Sequence, residues 1–257
     1  MSMQSPVRAV AIGLLAMLVV PVSLLALAYL ANWRKEHTFT ESNRELLGHP
    51  VDVVFLGDSI TTLWTFPQPH PLFATHPGYV NRGISGDRAA LMILRMPQDV
   101  FALKPKTVVF LGGINDLKSR LVPNALSFLS TAEVEASIRI VADLARAHGE
   151  RLILCSLTPV DEGMAMSQLG IGLGRLRPKQ VLTVNRWIEN FAQKRGLTYV
   201  DLYSALEDGH GRMRSDLSDD GLHPNDAGLD RMAPLLERAI EARTLVGDSA
   251  GSTEETH

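Results

Sequence analysis

The amino-acid sequence predicts an α/β protein built on a parallel sheet of five strands with helices on both faces. Three observations predict it. Short apolar runs such as Val51–Leu56, Thr107–Leu111 and Arg151–Leu157 break abruptly into glycine-rich or polar turns, the pattern of strands buried on both sides. Segments of helical periodicity, clearest in Thr131–His148 and Lys179–Arg195, lie between them. Strand and helix alternate five times without an internal repeat, which implies right-handed crossovers and one sheet edge where the functional turns collect.

The elements follow in order. Ala9–Trp33 contains no charged residue, and a helix of that length, at ~1.5 Å per residue, covers a ~30 Å hydrocarbon core. Residues 1–36 are therefore expected to be a membrane anchor or, with Ala26-Leu27-Ala28 as a cleavage site, a signal peptide. The first outcome puts the protein at the cell membrane with its domain outside the cytoplasm. The second makes it secreted or periplasmic. Residues 37–48 are polar and read as a linker or a first amphipathic helix; 49–245 form the domain and 246–257 a polar tail. After the first strand, 62–78 is loop and short helix, rich in proline and aromatic residues. Tyr79–Val80 leads into the turn Asn81–Asp87, and Asp87 is expected to cap a helix that runs to Leu103, bent by Pro97. Gly149 stops the helix that begins at Thr131, and Gly196 stops the one that begins at Lys179. Residues 161–178 read as a long loop, 198–203 as the fifth strand and 225–245 as the last helix.

Composition narrows the function. Apolar residues make up 46% and charged residues 21%, and the formal net charge is -3, a globular balance with no basic excess for nucleic acid. Cys155 is the single cysteine, which excludes an intrachain disulfide and a cysteine-based zinc cage.

The unusual residues sit in the predicted turns. Gly57-Asp58-Ser59 places a hydroxyl where the first strand ends, although Ser59 could simply cap a helix. A serine nucleophile needs a base, an orienting group for that base, and donors aimed at the oxyanion. Asp220-Gly221-Leu222-His223-Pro224 offers base and orienter three residues apart, with Asp219 as an alternative to Asp220. Gly86 can expose a backbone N–H, Asn115 can supply a side-chain NH₂, and the Ser59 N–H is a third donor. Asp58, Asp87 and Asp116 read as helix caps, Asn81 and Arg82 as organisers of the second turn, and Trp64 and Phe66 as core or pocket residues.

The order Gly57-Asp58-Ser59, Gly86 in N-x-G-I-S-G-D, Asn115 in G-x-N-D and His223 in D-x-x-H-P resembles the SGNH hydrolases, the GDSL-type esterases and lipases, from about Val51 to about Ile240. Ile60-Thr61 stands where the name-giving motif has leucine. The resemblance implies a three-layer, flavodoxin-like α/β/α fold. It also implies a triad of Ser59, His223 and Asp220, an oxyanion hole from Ser59, Gly86 and Asn115, and no metal or organic cofactor. The expected function is an esterase acting through an acyl-enzyme on a small-molecule or glycan ester, with short acyl or acetyl groups on carbohydrate first in line. A lysophospholipase or longer-chain esterase, and an acyl transferase, use the same residues. A non-catalytic glycan-binding module would be expected to have lost the serine or histidine.

Overall fold

The computed structural model describes residues 37–117, 131–169 and 178–242, together with Ser23. The chain divides into two compact units, Met1–Glu41 and Ser42–His257, and the sheet and its turns lie wholly in the second. The apolar stretch 9–33, Ser23 apart, and the tail 246–257 fall outside the described residues. Among the described residues no helix is long and apolar enough to cross a membrane.

Five parallel strands form one sheet: β1 (Val53–Gly57), β2 (Tyr79–Gly83), β3 (Thr107–Leu111), β4 (Arg151–Cys155) and β5 (Thr198–Val200). Their order is β2-β1-β3-β4-β5, the flavodoxin-like order, whose switch point falls between β1 and β3. Every residue of β1 and β3 is buried, so both faces of the central strands are covered, as their unbroken apolar runs require.

The described helices are α1 (Thr40–Leu46), α2 (Ser59–Thr62), α3 (Pro71–Ala74), α4 (Ala89–Asp99), α5 (Thr131–His148), α6 (Glu162–Leu169), α7 (Pro178–Arg195), α8 (Tyr203–Leu206) and α9 (Asp226–Glu241). Helix α4 packs against α5, α5 against α7, and α9 against β5 and α8. The stripe that α5 buries, Val134, Ile138, Val141 and Ala145, has the spacing read from sequence. Asn225 caps α9 by accepting from the Gly228 N–H at 3.1 Å.

Register puts three turns at one level. Gly57 pairs with Gly83 on one side and Leu111 on the other, so β1, β2 and β3 leave the sheet side by side. Gly57 has no room for a side chain: a Cβ there would strike Thr61 and come within 2.5 Å of the Leu111 carbonyl oxygen.

Several boundaries differ from expectation for identifiable reasons. Residues 37–48 take the helical alternative over Thr40–Leu46. Asp87 does not cap α4. Its carboxylate meets Arg95 instead, at 2.8 Å, and the Ala89 N–H finds Asp116 Oδ2 from the next turn, at 3.0 Å. Helix α4 ends at Asp99, two residues past Pro97, and Phe101–Leu103 is a separate 3₁₀ turn. The loop expected over 161–178 contains α6, because Asp161 Oδ1 accepts the Met164 N–H at 3.0 Å and starts a helix; residues 170–177 lie outside the described residues. Strand β5 stops at Val200 because Ser156 Oγ takes the Leu202 and Tyr203 N–H groups, at 2.9 and 2.8 Å, and turns the chain into α8. Cys155 is buried and its thiol is pushed up to about 12 by that burial, which leaves it inert.

Candidate active site

The turn after β1 carries Ser59 as the first residue of α2. The cap is Asp58, whose side chain accepts from Ile60 N–H at 3.0 Å. Capping therefore falls to Asp58, and the Ser59 hydroxyl is left for another partner. That partner is His223: Ser59 Oγ and His223 Nε2 stand 2.9 Å apart, across 164 residues of sequence.

Asp220 holds the other face of the imidazole. Its Oδ2 lies 2.6 Å from His223 Nδ1, and its Oδ1 accepts the backbone N–H groups of His223 (2.7 Å) and Leu222 (2.9 Å). With Nδ1–H facing a carboxylate, Nε2 is left to accept the Ser59 proton. Burial pushes the Asp220 carboxyl up, but the hydrogen bonds from the His223 ring and from the His223 and Leu222 N–H groups outweigh it. They hold the carboxyl well below the usual carboxylate range. The neighbouring Asp219 does not reach the ring; it meets Asn225 Nδ2, at 3.4 Å.

The D-x-x-H turn is locked from inside. Ser218 is fully buried; its hydroxyl donates to the His223 carbonyl (2.7 Å) and accepts from the Gly221 N–H (3.0 Å). Gly221 has φ +75°, and a Cβ there would come within 2.7 Å of Met164 Cβ and 2.8 Å of the Asp161 carbonyl oxygen. The Asp161 N–H in turn bonds to the Gly221 carbonyl at 2.8 Å. Sequence reasoning did not single out Ser218. The signal available was a hydroxyl beside the paired aspartates of S-D-D-G, a composition suited to side-chain-closed turns.

The turns after β2 and β3 carry the remaining candidates. Gly86 is exposed, with φ +74°. Asn115 is buried, and its Nδ2 donates to the Asp87 carbonyl at 2.9 Å. One N–H of that amide is thus fixed, which orients the second. Asp116 is buried and pushed up to about 6, by desolvation first, against the opposing Ala89 N–H and the Arg88 charge. Asn81 ties the second turn to the first: its Nδ2 donates to the Thr61 carbonyl (2.7 Å) and Thr65 Oγ1 (2.9 Å), and its Oδ1 accepts from Gly83 N–H (2.8 Å). Trp64 and Phe66 separate, Trp64 joining the core at 1% exposure and Phe66 standing 68% exposed.

A cavity of about 300 Å³ opens beside His223, lined by Leu63, Phe66, Pro67, Asp219 and Leu229 among others. Leu63 lies one helical turn on from Ser59. A larger cavity, about 790 Å³, sits where β4 and β5 begin, beside Arg146, Arg151 and Arg195. That is the opposite edge of the sheet from the serine.

A serine, histidine and aspartate in relay at the carboxyl edge of a doubly wound sheet place the molecule among the α/β serine hydrolases. Residues 55–231 match the model of the GDSL-like lipase/acylhydrolase family, and the chain belongs to that family. Its enzymatic class is that of the ester hydrolases. Among solved structures, it is similar to a GDSL-like lipase from Bacteroides thetaiotaomicron (29% identity, TM-score 0.68, covering 80% of this chain and 97% of that one). It is also similar to a protein of Bacteroides fragilis described as an acylhydrolase (27%, TM-score 0.68, 79% and 94%). An acetyl-xylooligosaccharide esterase from Geobacillus shares the fold at 22% identity and TM-score 0.57, covering 76% of this chain and 95% of that one. A search of curated proteins finds no match.

Proposed function

We propose that the chain is a serine esterase in which Ser59 is the nucleophile, His223 the general base and acid, and Asp220 its orienter. Ser59 N–H, Gly86 N–H and Asn115 Nδ2 are the oxyanion donors. The observation that carries this reading is the relay from Ser59 Oγ through His223 to Asp220, with contacts of 2.9 and 2.6 Å. Ser59 Oγ attacks the ester carbonyl carbon as its proton passes to His223 Nε2. The carbonyl π electrons move to oxygen and form the oxyanion, which the three donors receive. On collapse the C–O bond to the alcohol breaks and His223 gives its proton to the leaving oxygen, so that an acyl-serine remains. A water molecule then attacks the acyl carbon, His223 takes its proton, and collapse returns that proton to Ser59 Oγ as the acid leaves.

The substrate we infer is a short-chain ester, acetyl first, of a carbohydrate alcohol. Its support is the cavity beside His223, the residue that must protonate the leaving oxygen. The exposed Phe66 lines it together with Asp219 and Asp226, an apolar ring and carboxylate acceptors of a kind that suits a neutral polyol. Nitrophenyl esters of increasing chain length, followed by acetylated oligosaccharides, test the reading. We expect kcat/KM to fall at least tenfold between acetate and octanoate. A rise toward the longer chain would sink the short-acyl reading and leave the lipid ester in its place.

The same proposal places the domain outside the cytoplasm, tethered or released, on the strength of the charge-free stretch from Ala9 to Trp33. Protease added to intact spheroplasts should digest a tethered domain, or the domain should appear in the soluble exported fraction. Protection inside the cell until lysis would refute it.

A further inference from the structure

Beneath the turns that carry Ser59, Gly86 and Asn115 lies a group of charged side chains closed to solvent. Arg95, in the middle of α4, is 1% exposed, and Asp87 and Asp99 are fully buried. Arg95 Nε donates to Asp87 Oδ2 at 2.8 Å, Nη1 to Asp99 Oδ2 at 3.0 Å, and Nη2 to the Gly57 carbonyl at 3.0 Å. Asn43 Nδ2 donates to Asp99 Oδ1 at 2.7 Å, and Arg82 Nε to Asn43 Oδ1 at 2.8 Å, which extends the network to β2. Burial lowers Arg82 to about 10, against the opposing pull of Asp99; it stays charged at neutral pH.

A buried ion pair seldom adds stability over a well-packed apolar pair, so the identity of its partners matters more than its strength. The Gly57 carbonyl closes β1, two residues before Ser59. Asp87 follows Gly86 directly, and the Asp87 carbonyl holds Asn115 Nδ2 at 2.9 Å. A single guanidinium thus grips the backbone under the serine and the residue that joins the other two donors. Its planar fork fixes several donor directions at once, which a lysine ammonium does not.

We propose that Arg95 is a positioning residue for the oxyanion hole. Through Gly57 and Asp87 it sets the spacing of Ser59 N–H, Gly86 N–H and Asn115 Nδ2. The inference rests on the esterase reading above. Misplacing such donors by about 1 Å can cost on the order of a hundredfold in rate, while substrate affinity need not change.

The test is a double-mutant cycle on the full chain with nitrophenyl acetate. Arg95→Lys keeps the charge and loses the fork. It should lower kcat about 10- to 100-fold, with KM within about twofold and the pH profile of kcat/KM unmoved, because the triad is untouched. In an Asn115→Ala background the same change should cost at least about threefold less than in the wild type, since one of the three donors it positions is already gone. Asp87→Asn should reproduce this behaviour, and it carries the test if Arg95→Lys does not fold. Equal losses in both backgrounds would mark a general structural role and overturn the proposal. So would a change confined to KM, or no change in kcat. Failure of the esterase reading is distinguishable, because then Ser59→Ala would retain the activity that the cycle measures.

Discussion

Ser59→Ala should reduce ester hydrolysis by at least ~10⁴-fold in kcat while leaving the fold intact. The magnitude follows from the chemistry. Without Oγ there is no acyl-enzyme, and only direct attack by water in the oxyanion site remains, a residual typical of triads that have lost their nucleophile. At ~1.4 kcal/mol per decade the loss is on the order of 6 kcal/mol of transition-state stabilisation. The fold should tolerate the change because Asp58, not Ser59, caps α2, so deleting the hydroxyl removes no backbone partner. A serine-directed fluorophosphonate should label the wild-type chain at Ser59 and leave the variant unlabelled. Full activity in the variant, or labelling at another residue, would overturn the assignment of the nucleophile.

Asp220→Asn should lower kcat by about 10³- to 10⁴-fold. The amide fills the same space, but it can offer an NH₂ to His223 Nδ1. The imidazole then carries its proton on Nε2, where it cannot accept one from Ser59. The same residue makes stability depend on pH. Hydrogen bonds hold its folded-state carboxyl below the unfolded value of about 3.9. Below that value the unfolded chain therefore binds more protons than the folded one. The stabilisation that Asp220 supplies is fully present above pH ~4–5 and is lost as pH falls through the depressed folded value. Thermal midpoints measured from pH 6 down to pH 2 should drop more steeply for the wild type than for Asp220→Asn. Equal slopes would mean that the carboxylate is not stabilised in the folded state.

Much of this was open to sequence reasoning, and the parts that were not share a cause. Strands β1 and β3 are almost wholly apolar (VVFLG and TVVFL), as strands covered on both faces must be. Ser59 and His223 stand at element ends, where local turn chemistry signals a special residue. Spacing alone does not tell whether Asp219 or Asp220 faces the histidine, and only the resemblance singles out Asp220, because the answer depends on how Ser218 and the left-handed Gly221 close the turn. Nor is the fate of Asp87 legible. As a local signal it is a good helix cap, yet Arg95, eight residues on, claims its carboxylate, and Asp116 caps α4 from 27 residues away. Local propensity cannot price a buried cation or a cap supplied from another turn. The helix α6 inside the expected loop is the same kind of miss: Asp161 starts it, and its packing under Gly221 is a tertiary contact.

The relay spans almost the whole length of the domain. Ser59 comes from the first strand and His223 from the turn before the last helix, 164 residues later. A chain that emerges from its N-terminus first, whether from a ribosome or through a membrane, carries an unactivated serine for most of its synthesis. The hydroxyl has no base until the final segment docks. On the proposed assignment, activity must wait for that last segment, and a chain cut short before His223 has no base for its serine.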